Sequence, residues 1–119
     1  MRRSHALVLA AALNAAPAAA QAPATAFARS VALMDQLAET CPPFYAVDHQ
    51  GLAAHRSFFE EAAVRAWGEA AFTAALQSQR SALQQEISDK GARAWCLAER
   101  SGLTGIGMQA LFPAETLLA

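Results

Sequence analysis

The side chains best suited to chemistry in the sequence are few: Cys41 and Cys96, His49 and His55, and the adjacent carboxylates Glu60 and Glu61. Their spacing argues against most of the chemistry those types allow. Catalytic metal sites on helices usually present histidines four apart, as in HExxH, whereas His49 and His55 are six apart and the cysteines are expected to be bridged to each other. Adjacent glutamates point about 100° apart around a helix, which is a poor arrangement for sharing a proton. The chain has no GxSxG, no CxxCH and no Walker glycine loop. Gly102, Gly105 and Gly107 make a glycine-rich scrap, but it follows a helical pattern where a phosphate loop would follow a strand. Phe58, Phe59, Trp67, Phe72 and Trp95 could line an apolar pocket, yet a domain of this size needs most of them as core. These residues give the expectation of a non-enzyme with no catalytic residue, no metal and no cofactor.

The two cysteines carry a different chemistry. Arg2 and Arg3 form a basic start, Ala6 to Leu13 an apolar stretch, and Ala18, Ala19 and Ala20 an A-x-A cleavage pattern, so residues 1–20 read as a secretory signal peptide. Asn14 and Pro17 interrupt the run, which makes it too weak for a stable membrane span. The expected location is therefore periplasmic or secreted, with no stable membrane insertion after signal removal. Export to an oxidising compartment permits a disulfide, and two cysteines allow one pairing, Cys41 with Cys96. A loop of 55 residues closed in this way is worth roughly 4 kcal/mol on the chain-entropy model. The competing reading, one thiol as a nucleophile, needs a nearby histidine and a reducing or protective setting.

What must position these groups is a small and thin structure. The chain has 119 residues, enough for one domain, and 55% of them are apolar. Thirty-two are alanine, however, which favours helix and contributes little to a core. Without the signal segment, seven basic and ten acidic side chains remain, a formal charge of −3. The scattered cations supply no stripe for phosphates, so nucleic-acid binding is not expected.

The apolar periodicity is helical throughout. Phe27, Val31, Met34, Leu37, Ala38 and Cys41 mark one face of a first helix, which Pro42 and Pro43 end because proline cannot donate the next backbone hydrogen bond. Asp48 is a good N-cap for a second helix, with Val47 and Leu52 placed as a hydrophobic staple. That helix carries Leu52, His55, Phe59, Ala63 and Ala66 on one face and stops near Gly68. A third has Phe72, Ala75, Leu76, Ala82, Leu83 and Ile87 on one face, with Gln79 interrupting the stripe. A break or bend near Gly91 is preferred over one long helix, and the fourth helix then runs to about Arg100 and stops at Ser101 and Gly102. Leu103, Ile106, Met108, Leu111 and Phe112 follow in a glycine-loosened segment, read as a short helical turn and as a possible contact surface for a partner. The expected architecture is all-α: a small four-helix bundle with one disulfide and a short C-terminal helical turn. Residues 21–25 form a leader, 26–112 the single helical domain and 113–119 a loose tail.

One stretch adds a resemblance. Cys41, Phe44, Ala46, Val47 and Asp48 spell CxxFxAVD, which is similar to the segment around the first cysteine in periplasmic acid-stress chaperones of the HdeA type. The resemblance implies an exported all-helical protein with Cys41 and Cys96 as its bridge, which holds unfolded clients when acid loosens the fold. It covers eight residues. The spacing between the cysteines, the apolar glycine-containing C-terminal part and the Pro42–Pro43 pair depart from the family pattern. The expected function is a small exported non-catalytic helical protein, a stress or chaperone-like binding protein with unfolded clients. The alternative is a partner-binding accessory subunit or inhibitor of an exported enzyme.

Overall fold

A computed structural model describes residues 24–113. The expected signal segment and all but the first residue of the expected tail lie outside the described residues. Four helices occupy most of the description: α1 over residues 24–40, α2 over His49–Trp67, α3 over Glu69–Lys90 and α4 over Ala92–Gly105, followed by a 3-10 turn at Gln109–Leu111. No strand occurs among the described residues. Residues 24 and 25, assigned to the leader from sequence, are already helical, and Ala24 is buried.

Each boundary has a local cause. Pro42 and Pro43 stop α1, and the chain turns there, with the amides of Phe44 and Tyr45 both donating to the Cys41 carbonyl. Asp48 caps α2 by accepting from the Gly51 amide at 3.0 Å. Gly68 and Gly91 are the single residues separating α2 from α3 and α3 from α4, at φ +88° and +87°, a region where a Cβ is strained. The break at Gly91 therefore stands, and the single long helix does not.

The end of α4 differs from the expectation. The helix runs through Ser101 and Gly102 to Gly105, because neither residue leaves the right-handed region. The stop is Gly107, at φ +92°, whose amide donates to the Thr104 carbonyl while the Met108 amide donates to that of Leu103. This is the Schellman pattern, which satisfies carbonyls that the helix end would otherwise leave open.

Packing divides into two clusters. The larger joins Ala32, Met34, Leu37, Cys41, Tyr45, Leu52, Leu83, Trp95, Cys96, Leu103 and Leu111. Cys41 and Cys96 are bonded within it, fully buried, with Cα atoms 5.6 Å apart. Tyr45 locks the surrounding loop: its hydroxyl donates to the Cys96 carbonyl at 2.7 Å, and its ring meets Phe112 edge-on and lies beneath the Arg100 guanidinium. Burial pushes the Tyr45 phenol up to about 12, with Arg100 opposing and Glu99 adding to the shift. The smaller cluster joins Ala28, Val31, Ala63 and Phe72, with Phe27, Phe59, Val64, Trp67, Ala75 and Leu76 packed around it. No covalent link reaches that end.

The C-terminal segment closes over the start of α2. The Asp48 amide donates to the Leu111 carbonyl at 2.8 Å, so the cap of α2 and the 3-10 turn hold each other. Gly51 lies where they meet: a Cβ there would stand 2.6 Å from the Asp48 carboxylate and 3.0 Å from a Leu111 methyl. Gly→Ala inside a helix ordinarily stabilises by about 0.4–1 kcal/mol. Gly51→Ala is expected to do the reverse, costing about 1–2 kcal/mol in a urea melt, because the new methyl displaces the cap.

Candidate functional site

The fold divides the five residues offered as a contact surface between core and solvent. Leu103 and Leu111 belong to the main core, and Met108 and Phe112 pack against it. Ile106 alone projects, 73% exposed. The core takes the large side chains of this segment because alanine elsewhere leaves it short of volume.

The described histidines join no metal-binding group. His49 and His55 are exposed, and no group of three His, Cys, Asp or Glu among the described residues is placed to hold a metal ion. Both cysteines are consumed by the buried disulfide, so neither serves as a thiol nucleophile.

The structure instead brings together charged residues that periodicity does not reveal. The buried side of α2 is Leu52, Arg56, Phe59, Glu60, Ala63 and Trp67; His55 and Ala66, expected on it, are exposed, as is Ala82 on α3. Arg56 lies in the stripe and donates to Asp35 of α1 at 2.7 Å and to Glu60 of its own helix. Asp35 also accepts from Arg80 of α3 at 3.0 Å, so one carboxylate ties three helices. Burial disfavours the Arg56 charge, but Asp35 and Glu60 outweigh it and raise its pKa. Gln79 is half-buried, so the α3 stripe is partly open to water there.

A second group joins α1, α3 and α4. Arg29 forks onto Glu86 with bonds of 3.0 and 3.3 Å. That hydrogen bond holds the Glu86 carboxyl below its ordinary range against the effect of burial, with the Arg29 and Lys90 charges assisting. The fully buried Trp95 indole N–H completes no hydrogen bond within ordinary limits, yet it lies close enough to add to the stabilisation of Glu86. Burial pushes the Glu99 carboxyl the other way, upward; Arg29 and Lys90 oppose this, and Glu86 adds to it. An acid with a raised folded pKa destabilises the fold when ionised, and protonation relieves that cost. Glu99→Gln is therefore expected to raise the melting temperature at pH 7. The difference should shrink through the window just above the ordinary value of 4.5 and vanish below it, in melts recorded from pH 7 to 3.

The open surface around the smaller cluster is the remaining feature. A groove of about 670 Å³ lies between α2 and α3, lined by the apolar Val64, Phe72 and Leu76 and by the charged Glu60, Glu61, Arg65 and Glu69. On the outer side of α2, Phe58 is 67% exposed, its ring edge-on to Phe59, which in turn meets Phe27. An aromatic side chain left this bare adds nothing to the core. Among the described residues no helix is long and apolar enough to cross a membrane. Comparison with protein-family models, with curated proteins and with solved structures finds no match to the chain.

Proposed function

We propose that the chain is a small exported, non-catalytic binding protein of the stress or chaperone-like kind, whose working part is the end without the disulfide. The observation that carries this reading is the unequal fastening of the two clusters. The end built on Ala28, Val31, Ala63 and Phe72 holds its aromatics by packing, while the other end is cross-linked. With no covalent link across it, this end opens before the rest. Opening would present Phe27, Phe59, Trp67 and Phe72 to apolar segments of other proteins.

Acid supplies a trigger. Glu86 has a depressed pKa, so its contribution is present above the ordinary carboxylate range and is lost as pH falls through it. Glu99 acts with the opposite sign, and its protonation favours the fold. The larger effect is charge: at low pH, ten carboxylates of the chain after residue 20 go neutral, and seven basic groups with two histidines leave about +9. In the segment that resembles the acid-stress chaperones, Cys41 is bonded, Asp48 caps a helix and Val47 packs on the core, an architectural use compatible with this reading. A buried disulfide is compatible with the periplasmic or secreted location that the reading needs.

The test is aggregation of an acid-denatured client, followed by light scattering with and without the protein. Suppression at pH 2–3 and none at pH 7 is the expected result; no suppression at any pH rejects the reading. The preformed groove and the bare Phe58 favour a second reading, an accessory subunit or inhibitor that binds one partner without opening. A pull-down from periplasmic extract at neutral pH tests it, and recovery of no specific protein counts against it.

A further inference from the structure

The walls of the α2–α3 groove are laid out at helical spacing. Glu60, Glu61 and Val64 line it from α2, and Glu69, Phe72 and Leu76 from α3. Side-chain ridges three and four residues apart on two neighbouring helices are the kind of surface into which a third helix packs. The hollow also continues. A second one, of about 310 Å³, shares Thr73 and Leu76 with it and runs on along α3 past Gln77 to Gln84. From Glu69 to Gln84 the trench is about 22 Å long at 1.5 Å per residue, which suits a linear segment of about 15 helical residues better than a compact ligand.

Charge selects what that segment carries. Arg56 and Arg80 are both bound to Asp35, and Arg56 also holds Glu60, so this network of two cations and two carboxylates is neutral. Glu61 and Glu69 stand outside it and enter no ion pair among the described residues. Arg65, four positions from each, pairs with neither. The groove is left with two free carboxylates to one free guanidinium. Elsewhere the described acids are mostly engaged: Glu86 holds Arg29, Asp48 caps α2 and Asp89 accepts from Gln85. The chain after residue 20 carries a formal −3, so long-range attraction of a cation acts in the same sense.

The floor is apolar. Val64 and Leu76 are half-buried beside the buried Phe72, and covering their remaining area supplies the attraction that surface charge alone lacks. The far part of the trench, at Gln77, Ser81 and Gln84, is uncharged apart from the engaged Arg80. Basic residues of an occupant therefore belong at the Gly68 end.

We infer that the α2–α3 groove seats one amphipathic helix of another protein, its apolar stripe on Val64, Phe72 and Leu76 and its lysines or arginines beside Glu61 and Glu69. The inference rests on the second reading of the function, a partner bound without opening, and gives that partner its chemistry.

The probe is a fluorescein-labelled peptide of about 18 residues, with leucines at helical spacing and lysines between them, titrated with the protein at pH 7 and low salt and followed by anisotropy. A dissociation constant of about 1–100 μM is expected, weakened about threefold or more in about 0.5 M NaCl. The same peptide with glutamate for every lysine should not bind. Glu61→Lys with Glu69→Lys weakens binding about tenfold or more, whereas Glu39→Lys with Asp89→Lys, an equal charge change outside the groove, alters it less than about twofold. Thr73→Trp fills the hollow and blocks the peptide; if that variant does not fold, the charge reversals still decide. No binding up to about 1 mM, equal binding of the glutamate peptide, or equal losses from the two charge reversals overturns the inference. So does binding that a folded Thr73→Trp leaves intact, which places the peptide on another surface such as that around Phe58. The titration needs neither a natural partner nor opening, so it can fail while the pull-down succeeds through another face, and client protection in acid is read separately.

Discussion

Replacing both cysteines, as Cys41→Ala with Cys96→Ala, is expected to lower the unfolding free energy by about 4 kcal/mol and to bring the protein to the edge of unfolding at 25 °C. The bond closes a 55-residue loop that contains the turn after α1, all of α2 and α3 and the start of α4. Without it the unfolded chain regains the freedom of that loop. The folded state loses as well, since Trp95, Leu37 and Tyr45 share the cluster with the two sulfurs. The double variant is the cleaner comparison because a single substitution leaves a buried free thiol able to pair between molecules. Urea melts followed by circular dichroism give the value. A loss under about 1 kcal/mol would show that packing alone holds the larger cluster, and would remove the basis for calling one end fastened and the other loose.

Much of this architecture can be read from residues that restrict the backbone. Pro42 and Pro43 end α1 whatever the tertiary context, since neither has an amide to donate. Asp48 caps α2, and Gly68 and Gly91 interrupt the helical run, because a positive φ is cheap at glycine alone. The disulfide follows from a count of two cysteines together with the expectation that residues 1–20 are an export signal. The same rule misleads at Gly102, because glycine permits a stop without imposing one. The residue that turns the chain is Gly107, and the satisfied carbonyls of Leu103 and Thr104 distinguish it.

The interior charges were hidden for a related reason. Apolar periodicity assigns the inner face of α2 by hydrophobic residues, which selects His55 and Ala66 and passes over Arg56. An arginine enters such a stripe when its stem packs against neighbours and its guanidinium finds carboxylates, here Asp35 and Glu60. Asp35, one position after the core residue Met34 on a helix expected to be amphipathic, was the available signal, but its partners lie 21 and 45 residues away. The C-terminal segment divides on burial: sequence shows that Leu103, Leu111 and Ile106 are apolar, but only the fold shows that two are covered and one is bare.

Phe72→Ala is expected to separate the two ends of the molecule. Phe72 is 2% exposed and is the largest buried member of the smaller cluster, where its neighbours Ala28 and Ala63 cannot expand to refill the space. Truncations of this kind cost about 3–5 kcal/mol when the whole domain must unfold to relieve them. Here the affected end has no cross-link, so the loss should appear as local opening. Hydrogen exchange would then accelerate at Val31, Ala63 and the first turns of α3, while amides near Trp95, Cys96 and Leu103 keep their protection. Leu83→Ala is the comparison, since Leu83 is equally buried but belongs to the cross-linked cluster and should lower protection throughout. Uniform loss of protection in Phe72→Ala would mean that the clusters unfold as one unit. In that case the end without the disulfide could not open alone, and client binding through Phe27, Phe59 and Trp67 would require global unfolding.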